Sequence, residues 1–424
     1  MSKKIVVVGP GPKFKGGIAN FTMSLAKAID KEENTEVWIV SWTQQYPSIV
    51  PRDFIDRSSK ADLLEGTNIK VEYITNYNNF FSWKKTVEAI KKINPQIIIF
   101  QWAIAIQGLP MGYIANKIKK NIKCEIIFDL HVVSQKEASI IDKFFITYGL
   151  NSAHTYIVHS YKTFEELSSL FPNQKFSINE TGERKRGEKK SVIKLYHPVY
   201  DMFKPNPSFD KQVFKDELKL KKFVFLSFGI IRKYKGLHYT IPAFAKLAKK
   251  RNDVSLLIVG ESFWQTLDSK KISTKIKKYF FKTLSKVFLK KKKEGEDYNP
   301  LTLIDYYNLK DEVVVVNSYV PNEDVHKYFQ VSDCNILFYL TATPSGVESI
   351  AYNFKLPSIA TKVGHFPETI KDGYNGYLAE PENIDSMCEV MEKFIDNPIP
   401  SERIAGTATN MSWKNYAAAI LKNS

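Results

Sequence analysis

The chain has 424 residues, 44% of them hydrophobic and 13% aromatic, enough to build two cores rather than one. No apolar run reaches the roughly 18 residues that a membrane-crossing helix needs, so an integral membrane protein is not expected. The formal charge of +16 would suggest nucleic acid, but eleven lysines fall between positions 270 and 293 with no acid among them, and neither zinc-finger spacing nor an RNA-binding signature accompanies them; nucleic acid is therefore not an expected partner.

Residues 1–4 lead straight into Ile5-Val6-Val7-Val8-Gly9-Pro10, which reads as a first strand and its loop rather than a signal sequence. Cys124, Cys334 and Cys388 all sit in apolar segments and read as reduced, buried thiols. A cytoplasmic location is the expectation. Short apolar runs at 5–8, 37–40, 71–74, 97–100, 125–128 and 156–158 alternate with helical patterns, which predicts a parallel sheet with helices on both faces. Gly16-Gly17 precedes a predicted helix, and His131 closes the run at 125–128. The charged stretch 180–190 reads as a loop projecting into solvent. After Leu195-Tyr196-His197-Pro198 a polar segment containing Pro205 and Pro207 reads as an interdomain linker.

The pattern restarts at 223–228, 256–259, 313–316, 334–338 and 358–360, predicting a second doubly wound sheet with ligand sites beyond the carboxyl ends of its strands. Arg232 and Lys235 follow the first of these strands, and Gly236 opens a helix. Between 264 and 300 apolar residues at 272, 276, 280, 284 and 288 recur amid lysines. Three readings of that insertion stay open: a helix on anionic lipid, a helix packed on its own domain, or a solvated segment. Ser345-Gly346-Val347-Glu348 opens a further helix, whose unpaired N–H groups and partial positive charge suit a phosphate. The same four residues fit a capping box, the role preferred here for Glu348.

In order and spacing these features resemble the retaining glycosyltransferases of family 4 (group 1). They include Gly16-Gly17-Ile18-Ala19, Phe100-Gln101-Trp102, Asp129-Leu130-His131 with Glu137, and Val158-His159-Ser160. In the second half come Phe228-Gly229 with Arg232-Lys233-Tyr234-Lys235-Gly236, Ile258-Val259-Gly260-Glu261, Tyr319-Val320-Pro321, Ser345-Gly346-Val347 and Ser412-Trp413-Lys414. The resemblance implies a GT-B fold: an acceptor-side domain over 1–200, a nucleotide-sugar domain over 208–408 with the basic insertion 264–300, and a terminal segment 409–424 crossing back. It implies a nucleoside-diphosphate sugar as donor substrate, a glycan or lipid-linked acceptor, and no cofactor. Gly16 and Gly17 would flank the diphosphate, and His131 would lie near the reaction centre. Arg232 and Lys235 would stabilise the leaving phosphate in place of a metal, consistent with the lack of an Asp-x-Asp triplet. Val320 would support the base through its main chain, and Ser345, Gly346 and Val347 would meet the phosphates. His159 and His197 would flank the cleft or cap the sheet. The resemblance leaves out the lysine-rich insertion; an anionic membrane surface for residues 270–293 is read from its basic amphipathic pattern and remains one of the three readings above.

One departure is plain. Aligning Lys355-Leu356-Pro357 with the family's Gly-x-Pro puts Ala342 and Ile350, eight positions apart, where the family carries paired glutamates. Glu348 is rotated by about 200° from position 350 on the helix and does not replace the second one. Asn353, nearly on the Ile350 face, is the candidate for a ribose hydroxyl. Glu368 matches a frequent family carboxylate or a helix cap. Three functions follow: a divergent transferase, a noncatalytic nucleotide-sugar sensor or scaffold, and a nucleotide-sugar epimerase or hydrolase on the same fold.

Overall fold

The computed structural model describes residues 2–47, 54–60, 62–133, 139–184, 189–262, 298–344 and 346–422. Among them the first sheet consists of β1 (Lys3–Val8), β2 (Thr35–Gln44), β3 (Lys70–Asn76), β4 (Ile97–Trp102), β5 (Glu125–Leu130), β6 (Thr155–Val158), β7 (Phe176–Asn179) and β8 (Lys190–Lys194). All pairings are parallel, in the order β3-β2-β1-β4-β5-β6-β8-β7. Every residue of β4 is buried, because helices cover both faces of the sheet and leave no polar side to alternate with. The helices are α1 (Gly17–Asp30), α2 (Phe80–Ile93), α3 (Gly108–Asn121), α4 (Ile140–Leu150) and α5 (Tyr161–Leu170).

The second domain holds α6 (Lys211–Glu217), α7 (Leu237–Lys250), and strands β9 (Phe223–Phe228), β10 (Val254–Val259), β11 (Val313–Val316), β12 (Cys334–Leu337), β13 (Ser358–Thr361) and β14 (Gly376–Ala379). They too are parallel, in the order β11-β10-β9-β12-β13-β14. The predicted fold class, two doubly wound α/β domains, is what the chain adopts. In each sheet the winding reverses beside the first strand, between β1 and β4 and between β9 and β12. These reversals open crevices at the strand carboxyl ends, where doubly wound folds bind ligands.

Three strands went unread in the sequence. β7 is half-exposed along its length, and β14 begins on Gly376, so neither shows the apolar run that marked the others. β8 starts at Lys190, inside the stretch expected to be a solvent loop. That expectation is corrected for its start as well: Arg184 is largely buried and donates to the main-chain carbonyls of Ala419, Ile420 and Lys422. A helix end leaves such carbonyls unsatisfied, and a guanidinium supplies several donors at once. The helix they belong to, Trp413–Leu421, packs on α1 of the first domain. The three cysteines are free, with Cys334 and Cys388 buried and Cys124 partly so. Most of the insertion, including 270–293, lies outside the described residues.

Candidate active site

A cavity of about 300 Å³ lies where the two crevices face each other. From the first domain, Gly16 and Gly17 reach it at the start of α1. Gly16 has φ 111°, a conformation other residues rarely adopt, although space beside it is open. From the second domain come Val320, Gly346, Val347 and Ile350. Tyr200, fully buried in the linker, lies between the two helix starts: its hydroxyl donates to Gly17 O at 2.9 Å, and a Cβ on Gly346 would stand 2.9 Å from its ring. The main-chain donors of two opposed helices therefore open onto one space, which suits an anion.

Lys235 completes the wall. Its ammonium donates to Phe228 O at 3.0 Å and lies 5.5 Å from the Tyr339 ring centre. Two glycines make this position accessible. A Cβ on Gly229 would be 2.7 Å from Lys235 Nζ, and one on Gly236 would be 1.9 Å from Phe338 O. Burial, reinforced by the neighbouring Arg232 charge, lowers the Lys235 pKa to about 7. Arg232 stands at the residue before the short turn Lys233–Lys235, with no capping bond from its side chain, and does not itself line the cavity. Ser345 and Glu137 lie outside the described residues.

Two expected site residues are elsewhere. Asn353 donates to Phe203 O at 2.6 Å and is absent from the cavity wall, so it ties the helix Gly346–Asn353 to the linker. His131 belongs to a buried cluster below the cleft. Its Nε2 lies 2.7 Å from Gln101 Oε1, which can only accept, so that nitrogen carries the proton. Gln101 reaches Asp129 at 3.4 Å, and Asp129 also accepts from His159 Nε2 and from Tyr416 O–H, each at 2.9 Å. Burial lowers the His131 pKa to about 4 against the opposing pull of Asp129. Burial alone would raise the Asp129 carboxyl, but His159, His131 and Tyr416 together hold it below its usual value. His131 is thus a neutral hydrogen-bonding group. Phe21 packs its ring against His131, His159 and His197.

Glu348 is buried, and its carboxylate accepts from His365 at 2.7 Å, Thr369 at 2.5 Å and Tyr352 at 3.1 Å. Those side chains engage both oxygens, a setting the capping-box reading did not foresee; the Ser345 half of that box is outside the described residues. Glu368 accepts from the Tyr161 N–H at 3.1 Å, so it caps α5 of the opposite domain. Ser349 meets His197 Nδ1 at 2.8 Å, also across the domains.

Sequence reasoning missed the far side of the cleft. Glu261, buried in the cavity wall beyond β10, lies 4.0 Å from Lys15 of the first domain, and Lys15 stands 4.9 Å from the Tyr319 ring centre. Tyr319 O–H donates to Asp56 at 3.0 Å, while Lys60 N–H donates to Glu323 at 3.1 Å. Burial alone would raise the Asp56 carboxyl, yet the N–H groups of Ser59 and Ser58 and the Tyr319 hydroxyl hold it below its usual value. The position of Glu261 at a strand's carboxyl end was an available signal. The others were not readable, since they join residues hundreds of positions apart.

Residues 208–411 match the family described as Glycosyl transferases group 1. No curated protein sequence matches. Among solved structures the chain is similar to a glycosyltransferase from Rickettsia africae ESF-5, at 16% identity over 100% of each chain and a TM-score of 0.66. It is also similar to Anabaena Alr3699/HepE in complex with UDP and glucose, at 16% identity over 98% of this chain and 95% of that one, with a TM-score of 0.61. An α,α-trehalose-phosphate synthase (UDP-forming) from Burkholderia xenovorans, in complex with glucose-6-phosphate, shares 11% identity over 97% of each chain, with a TM-score of 0.64. The fold is therefore that of the GT-B glycosyltransferases. The family match lies within the second domain and spans slightly less than half of the chain, while the solved neighbours share the fold of the whole chain.

Proposed function

We propose that the protein transfers a sugar, of the hexosyl class, from a nucleoside-diphosphate sugar to a hydroxyl of a glycan or lipid-linked acceptor in polysaccharide synthesis. The carrying observation is the convergence of Lys235 with the starts of α1 and of the helix Gly346–Asn353 on one interdomain cavity. In this reading the diphosphate lies against the N–H groups at Gly16, Gly17, Gly346 and Val347, with Lys235 on the oxygens that gain charge as the bond to the sugar breaks. Arg232 supports Lys235 from outside the wall. The acceptor hydroxyl attacks from the face the diphosphate leaves, and its proton passes to a departing phosphate oxygen. This gives retention of configuration and requires no protein base and no metal. Val320 takes the base side through its main chain. His131, neutral, bonded to Gln101 and outside the cavity wall, does not move a proton. The setting is the cytoplasmic side of a membrane, with residues 270–293 adding an anionic-lipid contact.

A second reading, a binding protein without turnover, is favoured by Ile350, which puts an apolar side chain in the cavity where the family carries a glutamate. Both readings are separated by incubating the protein with nucleoside-diphosphate sugars and lipid-linked glycan acceptors and following released nucleoside diphosphate and product mass. Transfer gives equal amounts of both. Binding with no release under every acceptor supports the second reading, and conversion of donor without acceptor supports an epimerase or hydrolase.

A further inference from the structure

The first domain carries an apolar strip with no cover among the described residues. Phe81 is 73% exposed at the start of α2, and Ile140, Ile141 and Phe144 are 87%, 61% and 57% exposed at the start of α4. The strip is continuous across α3. Phe80 lies 5.0 Å from the Tyr113 ring, the adjoining Gly112 faces the Tyr148 ring, and Tyr148 stacks with Phe144 at 6.2 Å. Gly112 lets α4 press this close, since a Cβ there would stand 2.7 Å from the Tyr148 ring.

The charge beside the strip is mainly basic. Lys84 and Lys85 follow it on α2, Lys117 stands on α3 and Lys143 on α4, whereas Lys91, Lys92, Lys119 and Lys120 belong to the far last turns of their helices. Glu88 pairs with Lys91 on its own helix, and Asp142 is taken up by the capping box with Ser139. Lys84 and Lys117 lie against the rings of Phe80 and Tyr113, so cationic heads surround the apolar surface. The strip is also at a definite end of the domain. α2 and α4 begin at the carboxyl ends of β3 and β5, the same end of the parallel sheet at which Gly16 enters the cleft.

We infer that this strip, formed by Phe80, Phe81, Ile140, Ile141 and Phe144 and flanked by Lys84, Lys85, Lys117 and Lys143, docks the protein on an anionic lipid bilayer beside the cleft mouth. Apolar side chains enter the interfacial region while the lysines meet lipid phosphates, the combination that holds peripheral proteins. Among the described residues no helix is long and apolar enough to cross a membrane, so the contact is peripheral. The inference stands on the surface alone and does not require the sugar-transfer reading.

The test is cosedimentation of the whole chain with vesicles of phosphatidylcholine alone or mixed equally with phosphatidylglycerol. The variant replaces Phe81, Ile140, Ile141 and Phe144 by serine; all four are exposed, and an unchanged melting temperature verifies its fold. The wild-type chain is expected to pellet with the anionic vesicles, and the variant to partition about tenfold more weakly or less, because binding scales with buried apolar area. A chain lacking 270–293 is expected to keep that difference. The inference is overturned if the wild-type chain does not pellet, if the serine variant pellets like it, or if deleting 270–293 alone abolishes binding. A wild-type dimer in solution that the serine changes dissociate would also overturn it, by assigning the strip to a second copy.

Discussion

At the residue scale, the proposed chemistry rests on Lys235, whose pKa of about 7 lies below its ordinary 10.5. Near neutral pH the unliganded protein therefore holds this lysine only partly charged, and a diphosphate in the cavity restores the proton. At pH 8 binding should take up close to one proton, about one per diphosphate, seen as a binding heat that varies with the buffer's ionisation enthalpy. Affinity should fall as pH rises through 7. The stability contribution has its own sign: because the folded pKa is the lower one, the unfolded chain binds more protons between 7 and 10.5, so stability rises with pH across that window. Lys235→Met should flatten this rise in melting temperature and lower kcat/KM by about 10²–10³-fold, the usual effect of removing one donor to a developing anion. Lys235 was readable from its place after a strand and before Gly236. Two other wall residues were not singled out: Tyr200 lies in a linker read as polar, and Glu261, although its place at a strand's carboxyl end was a signal, was seen only as part of a motif.

At the scale of elements, the terminal helix Trp413–Leu421 is held to the first domain through groups of very different legibility. The segment was expected from Ser412-Trp413-Lys414, and Ser412 caps the helix by accepting from Asn415 N–H. The buried bond from Tyr416 to Asp129 could not be read, since nothing local signals a partner 287 positions away. Tyr416→Phe removes one donor to a buried carboxylate and should cost about 1.5–3 kcal/mol of stability in urea unfolding, the range for hydrogen bonds to charged groups. A change below a few tenths of a kcal/mol would mean the helix is held by packing and the Arg184 bonds, with no net contribution from Tyr416. The strands show the same division. Central strands such as β4 and β10 are wholly buried and announced themselves as apolar runs. Edge strand β7 packs on one side only, and its half-exposed residues carry no such pattern.

At the scale of the molecule, the cavity exists because the domains are tied on both sides of it. Tyr319 and Asp56 join them on one side, and Ser349 with His197 and Glu368 with Tyr161 on the other. Sequence patterning revealed two doubly wound halves because strand periodicity is local; it could not reveal how they meet, which depends on side chains far apart in the chain. The sugar-transfer proposal requires that this interdomain space bind the diphosphate of a sugar nucleotide through Lys235. It is tested most directly by thermal unfolding of the wild-type chain and Lys235→Met with each common nucleoside diphosphate. At 100 times its dissociation constant the matching ligand should stabilise the wild-type chain by about 2.7 kcal/mol, with a much smaller shift in the variant. Equal shifts in both chains, or no shift of the wild-type chain with any nucleoside diphosphate, would contradict it.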